Sequence, residues 1–205
     1  GQKSKQGFYK KIDKGIIHSI DFETLEYTPQ NKKRYAGIRL AKEHSSVGGR
    51  VNALIDCDDK AGKFIWEVTS KALLYSSARL GEIADDIVNI DRAMRWGFGW
   101  EMGPFELWDI IGVGKSINRM KSENKNIPEW ILKFLKKGNN TFYKRLDGLN
   151  CYWDVNKEDY LPIPISSKEL RFADFKRNGS LIQDHWSASI VDLGDAVAGV
   201  DFHSV

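Results

Sequence analysis

The side chains able to carry out acid–base chemistry are spread along the sequence without forming a recognisable dyad. The four histidines, His18, His44, His185 and His203, have no carboxylate at a spacing that suggests a proton relay. A histidine in such a setting is more often a surface or loop residue than a general base. We therefore expect none of the four to be catalytic.

Two glutamates, Glu101 and Glu106, could form a carboxylate pair for acid–base work. They flank a predicted helix start at Pro104, where the helix dipole favours glutamate, so a structural role is the stronger interpretation. The serine pairs Ser45–Ser46 and Ser76–Ser77 lack the strand–turn–helix context that exposes a nucleophilic serine. The sequence thus indicates no covalent catalysis.

Three tryptophans, Trp96, Trp100 and Trp108, could stack on a nucleotide base. Their apolar neighbours recur at helical spacing, which favours burial between packed helices. The glycine pair at Gly97–Gly99 continues into Trp-Glu-Met, so it does not match the Gly-x-Gly-x-x-Gly pattern of dinucleotide-binding folds. Neither feature predicts a cofactor bound by this chain.

Charge and cysteine content exclude further classes of site. The chain has 31 Lys and Arg against 28 Asp and Glu, a net charge of +3, so charge alone does not indicate a nucleic-acid partner. The basic runs Lys3–Lys11 and Lys32–Arg34 are interpreted first as solvated faces, with an acidic ligand left open. Cys57 and Cys151 have no partner at metal-ligand spacing, so we expect no disulfide framework and no metal.

No apolar run approaches the roughly 20 residues that are needed to span a bilayer. The lysine-rich start also lacks the apolar stretch of a signal peptide. We therefore expect a cytoplasmic protein without a membrane span, in a reducing compartment.

The middle of the chain predicts helices. Asp58–Asp59 and Asp85–Asp86 are N-cap candidates for two helices, and Pro104 and Pro128 suit the first turns of two more. The helix that follows Asp59 carries apolar residues almost all round, which predicts that it is buried rather than superficial.

The remaining segments have a different texture. One or two further helices are expected within 35–54, separated near Gly48–Gly49. The runs Ile16–Tyr27 and Asn150–Ile165 suit β-hairpins or extended linkers. The stretch Ser189–Phe202 predicts two strands around a Gly-Asp turn.

One sequence occurs twice. Phe8-Tyr9-Lys10-Lys11-Ile12-Asp13-Lys14-Gly15 returns, about one domain length later, as Phe142-Tyr143-Lys144-Arg145-Leu146-Asp147-Gly148. A repeat at that distance is typical of a domain that is present twice rather than of a solenoid. We expect the first copy to be the tail of an upstream domain, and the chain to be an excised part of a larger protein.

The segment Ile87–Asp109 resembles the hallmark of the C-terminal domain of 3-hydroxyacyl-CoA dehydrogenases. It has an isoleucine–aspartate helix, the Gly-x-Gly turn at Gly97–Gly99, and Met-Gly-Pro-Phe-Glu-Leu at Met102–Leu107, then Asp109 before the closing Gly112. The three glycines of this motif are expected to allow positive φ angles in a tight turn between helices. The two Phe-Tyr-Lys tails also look like the closing motif of that domain.

The resemblance implies a mainly α fold. It implies a multi-helix bundle of the 3-hydroxyacyl-CoA dehydrogenase C-terminal, 6-phosphogluconate dehydrogenase C-terminal-like type, with short β-hairpins at the ends. Residues 1–34 would be the tail of an upstream helical domain and a linker, and residues 35–161 the helical domain. Residues 162–205 would be a linker and the opening strands of a truncated enoyl-CoA hydratase (crotonase) domain.

The resemblance also implies a function for the parent protein, which would oxidise 3-hydroxyacyl-CoA to 3-ketoacyl-CoA with NAD in fatty-acid β-oxidation, fused to an enoyl-CoA hydratase. NAD would bind the nucleotide-binding domain, which also supplies the general base, and this chain would bind no cofactor. Its partners would be that domain, the preceding helical copy and acyl-CoA, with a homodimer left open. The alternatives are an acyl-CoA-binding helical module and a self-associating interaction domain.

The family takes one catalytic group from this kind of domain, an asparagine that orients the substrate carbonyl. Counting back from Asp91, with Gly62 on the family's glycine, places Trp66 at that position. A small misalignment would place Glu67 or Thr69 there instead. An indole cannot replace the paired donor and acceptor of an amide. The resemblance thus implies a degenerate second copy, without catalytic, cofactor-binding or metal-binding residues.

Overall fold

The computed structural model describes residues 7–12, 15–30, 33–164 and 172–203. The chain forms two compact units, residues 1–161 and 162–205. Some residues singled out in the sequence lie outside the described ones, namely Lys3, Lys5, Asp13, Lys14, Lys32 and Ile165. Among the helices that the structure describes, none is both long and apolar enough to cross a membrane.

The helices of the first unit follow one another between residues 36 and 136. They are α1 (Ala36–Ala41), α2 (Val47–Ile55), α3 (Lys60–Ala78), α4 (Ile87–Phe98), α5 (Pro104–Ile111), α6 (Val113–Ser122) and α7 (Glu129–Lys136). The carboxylate of Asp59 accepts a hydrogen bond from the Gly62 amide at 2.8 Å, and that of Asp86 from the Asn89 amide at 2.7 Å. Both predicted N-caps are therefore confirmed.

The prediction of a break at Gly48–Gly49 was wrong, because both glycines lie inside α2. The break between the two helices lies between Ala41, which ends α1, and Val47, which begins α2. Ser46 is the N-cap of α2, and its hydroxyl accepts a hydrogen bond from the Gly49 amide at 3.2 Å. A Cβ atom on Gly48 would lie 2.7 Å from Cγ2 of Ile110. Glycine serves here to let α2 pack closely on α5.

The prediction that α3 is buried on all sides was also wrong. Its residues Trp66 and Leu73 are 3% and 1% exposed, whereas Phe64, Val68 and Tyr75 are 64%, 50% and 65% exposed. The helix therefore packs on one face and presents a second apolar face to solvent. Apolar content alone does not tell which face of a helix meets a partner.

The two repeated sequences each open a three-stranded antiparallel sheet. The first sheet contains β1 (Tyr9–Lys11), β2 (Ile17–Ile20) and β3 (Tyr27–Pro29), and the second contains β4 (Tyr143–Leu146), β5 (Leu149–Asp154) and β6 (Asp159–Pro162). The pairing starts with Tyr9 opposite Ser19 in one sheet and Tyr143 opposite Tyr152 in the other. The expected mainly α bundle with hairpins is thus right only for the helical middle, since each end is a full sheet.

The second sheet is anchored to the helices by an aromatic cluster. Phe142, which directly precedes β4, lies with its ring centroid 4.9 Å from that of Phe134, 5.2 Å from Phe105 and 5.5 Å from Trp108. All four side chains are fully buried. Ring pairs at these separations contribute about 0.5–1.5 kcal/mol each beyond the area that they bury.

The second unit contains one short helix and one sheet in its described part. They are α8 (Phe172–Arg177), β7 (Leu181–Asp184), β8 (Ala188–Gly194) and β9 (Val197–Phe202), and the sheet is antiparallel in the order β7-β8-β9. The predicted turn between the last two strands is confirmed. Asp195 and Ala196 occupy it with φ angles of 52° and 61°. The strand β7 was not predicted.

Candidate functional site

Trp66 is part of the helical core. Its indole Nε1–H donates to both carboxylate oxygens of Glu123, at 2.7 and 2.8 Å. The guanidinium of Arg119 lies over the indole, 4.2 Å from the ring centroid. The indole N–H and one face of the ring therefore make their contacts within the fold.

Charged side chains around Trp66 join three helices. Arg119 donates from Nη1 to the Ile55 carbonyl at 3.0 Å and from Nε to Glu123 at 3.1 Å. Burial acts to raise the pKa of Glu123, but the bonds from Trp66 and Arg119 outweigh it and hold that pKa below its usual value. Glu123 is thus an ionised anchor between α3 and α6 rather than a proton acceptor.

The two alternative positions, Glu67 and Thr69, do not form a reactive site either. Hydrogen bonds from Lys125 and Lys71 lower the pKa of Glu67, and the Lys125 ammonium lies 2.5 Å from its carboxylate. Thr69 is half-buried on α3. An ionised, ion-paired glutamate is poorly suited to act as a base.

The motif around Asp91 builds a joint between helices. Asp91 is 2% exposed and accepts hydrogen bonds from the Phe105 amide at 2.8 Å, the Glu106 amide at 3.1 Å and the Tyr143 hydroxyl at 2.7 Å. Asp91 thereby accepts hydrogen bonds from the free amides in the first turn of α5, where Gly103 has no side chain to act as a cap. The motif thus connects α4, α5 and β4.

Glycines of the motif act by different means. Gly99 ends α4 with a φ of 66°, as predicted, but Gly103 has a φ of −77° and Gly97 is within the helix. The expectation of positive φ at all three was therefore wrong. A Cβ atom on Gly103 would collide with Asp91, so Gly103 is needed for close approach.

The structure places the two glutamates, Glu101 and Glu106, in different surroundings. The Glu106 carboxylate accepts a hydrogen bond from the Gly103 amide at 2.8 Å and caps α5. It also pairs with Arg95 at 3.1 Å. Glu101 is exposed. The structural interpretation of Glu106 is confirmed.

A second buried carboxylate fixes the start of the second sheet. Asp109 accepts hydrogen bonds from the backbone amides of Phe142 and Tyr143, at 2.6 and 2.8 Å. Burial raises the pKa of Asp91 to about 7 and that of Asp109 to about 6. These raised values come from desolvation at a structural joint, and sequence reasoning gave no signal for them because the partners are distant in the chain.

An apolar groove lies between α3 and α4. We name it the α3–α4 groove; its volume is about 520 Å³, and its main apolar lining residues are Ala72, Tyr75, Ile83, Met94, Phe98 and Trp100. Phe98 and Ile83 are 74% and 70% exposed. A contiguous apolar surface of this kind is typical of an interaction or ligand site.

The three candidate stacking tryptophans are in different surroundings. Trp108 is fully buried, as expected, whereas Trp96 and Trp100 are 76% and 42% exposed. The prediction of burial was wrong for these two, because α4 ends at Gly99 and both side chains lie near that free end. Trp100 instead lines the α3–α4 groove.

The first sheet differs from the second in its exposure. Phe8 and Tyr9, the counterparts of Phe142 and Tyr143 in the repeat, are 70% and 65% exposed. The Phe8 ring contacts Phe22 at 6.1 Å between centroids. Among the described residues the first sheet therefore lacks the aromatic cluster that covers Phe142 in the second.

Among the described histidines, His203 interacts with neighbouring side chains, including the charge of Asp201. His203 Nε2 is 2.9 Å from the Ser189 hydroxyl, but that hydroxyl is fully buried. His18 Nδ1 lies 3.3 Å from the Tyr27 carbonyl, and His44 and His185 are exposed. In the described residues no cluster of three His, Cys, Asp or Glu side chains is arranged for a metal.

Comparison with known proteins agrees with this architecture. Residues 71–141 match the family model described as 3-hydroxyacyl-CoA dehydrogenase, C-terminal domain, which covers α4 to α7 and the two buried aspartates. These residues belong to that family. The match begins within α3 and includes the motif Ile87–Asp109, but it does not extend to α1 or α2.

Relatives of greater length contain this domain. The chain is 42% identical, over 204 residues, to a probable 3-hydroxyacyl-CoA dehydrogenase of Bacillus subtilis; the match covers 100% of this chain and 26% of that protein. It is 24% identical over 178 residues to a putative fatty acid oxidation complex trifunctional enzyme of Rickettsia felis, covering 83% of this chain and 22% of the relative. The chain therefore spans about a quarter of these curated relatives. No solved structure matched it significantly.

Proposed function

We propose that this chain is a non-catalytic helical part of an NAD-dependent 3-hydroxyacyl-CoA dehydrogenase of fatty-acid β-oxidation. The observation that carries the proposal is the position of Trp66. Where the family resemblance expects a substrate-orienting asparagine, the chain has an indole that is 3% exposed and bound to Glu123 and Arg119. No amide is available there to contact an acyl-CoA.

The role that remains is to pack against other domains of the parent enzyme. We propose that residues 1–34 end a preceding helical domain, that residues 35–161 form the second one, and that residues 162–205 open an enoyl-CoA hydratase domain. Support comes from the repeated tail, whose second copy is buried on its own helices while Phe8 of the first copy is open. The fatty acid oxidation complexes among the relatives also support it.

The α3–α4 groove is the surface that we propose for packing against a second helical domain of the same family. Its exposed aromatic and aliphatic side chains would lose contact with water in such a pair, which contributes about 25 cal/mol per Å² of apolar surface buried. For the isolated chain, the domain available for this pairing is another copy of itself.

The catalytic half of the proposal is tested on the 205-residue chain by titration calorimetry with NAD and by a turnover assay with a 3-hydroxyacyl-CoA. We expect no turnover and no tight NAD complex, because no described residue provides a base or a dinucleotide-binding turn. Turnover that is abolished by heat denaturation of the chain would overturn the proposal.

The packing half is tested by light scattering over a range of protein concentrations. We expect association that Phe98→Glu abolishes, since a charge would then have to be buried in the groove. Trp96→Glu, on the same helix but outside the groove lining, is the matched control and should associate like the parent chain. A strict monomer at high concentration contradicts the packing role.

A second candidate function is favoured by the shape of the same groove. Its apolar lining and volume of about 520 Å³ suit an acyl chain as well as a helix. Saturable binding of a long-chain acyl-CoA that is lost in Trp100→Ala, with the chain remaining monomeric, would favour an acyl-CoA-binding module. The absence of binding at millimolar ligand counts against it.

A further inference from the structure

The first and second sheets share internal hydrogen bonds as well as the repeated sequence that opens them. The Ile20 amide donates to the Phe8 carbonyl at 3.0 Å, and the Trp153 amide donates to the Phe142 carbonyl at 2.8 Å. In each sheet this bond joins the repeated phenylalanine to the middle strand. The two sheets therefore begin with the same backbone pairing.

A tyrosine of the third strand closes each sheet in the same way. The Tyr27 hydroxyl donates to the Gly7 carbonyl at 2.7 Å, and the Tyr160 hydroxyl donates to the Thr141 carbonyl. Each of these carbonyls belongs to the residue directly before the repeated phenylalanine. The lysine two residues after that phenylalanine lies over the tyrosine ring in both sheets, with its ammonium 5.3 and 3.5 Å from the centroid. In its described residues the first sheet is thus a structural duplicate of the second.

The two repeated phenylalanines differ in what surrounds them. Phe142 lies in an aromatic pocket, which we define by four ring side chains: Phe105, Trp108, Trp130 and Phe134. Phe142 is fully buried there, whereas Phe8 is 70% exposed. Burial of an apolar ring is favourable because it removes the ring from water. Phe8 is therefore free to make the contact that its counterpart makes.

The backbone amides at the two phenylalanines differ in the same way. Asp109 accepts hydrogen bonds from the amides of Phe142 and Tyr143, at 2.6 and 2.8 Å. No side chain in the described part of the chain accepts from the amides of Phe8 and Tyr9. A backbone amide that becomes buried needs an acceptor. A partner that covers Phe8 therefore has to supply one.

We propose that the first sheet is a docking element that closes the aromatic pocket of another helical domain. Phe8 fills that pocket, and a carboxylate of the partner, placed as Asp109 is, accepts from the amides of Phe8 and Tyr9. A second copy of this chain does not fit, because its own Phe142 already fills the pocket.

The partner is a helical domain of the same kind that has no closing sheet of its own. This choice rests on the proposed function, in which residues 1–34 end a preceding helical domain. The chain covers only 26% of the Bacillus subtilis relative, so that protein has room for such a domain outside the matched part.

The docking face is tested in the 205-residue chain by transplanting it. In the chimera, residues 8–29 replace residues 142–162, so that Phe8 enters the aromatic pocket beside Asp109. We expect Phe8→Ala in the transplanted copy to lower the urea midpoint of the chimera as much as Phe142→Ala lowers that of the parent chain. Phe8→Ala in the N-terminal copy is the matched control and should leave the midpoint unchanged. An unchanged midpoint for the transplanted Phe8→Ala would overturn the proposal.

The partner is identified by photo-crosslinking in the longer protein that the proposed function implies, which needs no transplant. Phe8→p-benzoylphenylalanine places a photoreactive ring at the docking point, and we expect it to crosslink to the preceding helical domain. Lys11→p-benzoylphenylalanine is the control on the same strand. Its counterpart Arg145 is exposed, so it should not give that crosslink. A Phe8 crosslink found only within residues 33–205 would overturn the choice of partner.

These outcomes are distinguishable from failure of the proposed function. The transplant is measured in the 205-residue chain alone, so it can succeed even if no helical domain precedes this chain. An unaffected midpoint would overturn docking, while association through the α3–α4 groove and the lack of turnover could still hold. Loss of self-association in Phe8→Ala would show that a second copy is the partner, contrary to the proposal.

Discussion

The indole of Trp66 and the carboxylate of Glu123 are joined by a forked hydrogen bond in which one N–H lies within 2.8 Å of both oxygens. This bond connects the middle of α3 to the residue that follows α6. It occupies the position at which the family resemblance expects a catalytic amide. The indole at this position thus has a structural role.

Trp66→Phe should lower the free energy of unfolding by about 1–2 kcal/mol, because the ring volume is largely kept while the hydrogen bond to Glu123 is lost. Trp66→Asn should lower it by about 3–5 kcal/mol, since it opens a cavity in the core. Urea denaturation measures both. Trp96→Phe, at an exposed position, is the control and should change stability by less than about 0.5 kcal/mol.

Trp66→Asn should not create dehydrogenase activity. An amide at this position would still lie in the core beside Glu123 and Arg119, with no described cofactor-binding turn nearby. The measurement is NAD reduction with a 3-hydroxyacyl-CoA substrate at a temperature where the variant is folded. Recovery of turnover would show that Trp66 alone had silenced an otherwise complete site.

Phe142→Ala should destabilise the chain by about 3–5 kcal/mol, because Phe142 is fully buried against four aromatic rings. Phe8→Ala should change stability by less than about 0.5 kcal/mol, since the Phe8 ring is itself 70% exposed. The two variants make a matched pair in one repeated sequence. Similar losses in both would contradict the difference in burial.

Stability should depend on pH through Asp91. Because burial raises its pKa from the ordinary value of 3.8 to about 7, the folded state holds a proton that the unfolded state has released between these two pH values. The contribution of Asp91 to the free energy of unfolding should therefore be fully present below about pH 4 and decline as pH rises to about 7. Chemical denaturation from pH 4 to pH 8 measures it.

The comparison with Asp91→Asn isolates this effect from Asp109, whose pKa is also raised, and from the carboxylates with lowered pKa values, which act in the opposite direction. The stability difference between the parent chain and Asp91→Asn should fall as pH rises from about 4 to about 7. A difference that grows with pH would mean that the three donors at Asp91 outweigh its desolvation.

Local signals in the sequence identified the helix starts well. Asp59, Asp86 and Pro104 act through neighbours three residues away or less, so the chain itself carries the information. The helix α6 was missed because a glycine and six charged or polar residues hide its pattern. Its buried residues Val113, Ile117 and Met120 do follow helical spacing and could have revealed it.

Long-range relationships could not be predicted in the same way. The exposure of Trp96 and Trp100 depends on where α4 ends in space, and apolar composition gives no information about that. The clustering of Asp91 with Tyr143 joins residues that are 52 positions apart. For the basic run Lys32–Arg34, the exposed side chains of Lys33 and Arg34 agree with the solvated-face interpretation, but the concave surface that they share with Arg39 and Lys42 depends on the fold.

The close contact between Asp91 and Gly103 makes the residue types at these two positions depend on each other. A side chain at 103 would occupy the space of Asp91, and a longer acid at 91 would have to displace the backbone at 103. A substitution at either position alone would destabilise the fold, so each residue restricts which substitutions the other can accept. A related chain without an aspartate at position 91 should therefore use a different hydrogen-bond acceptor for the first amides of α5.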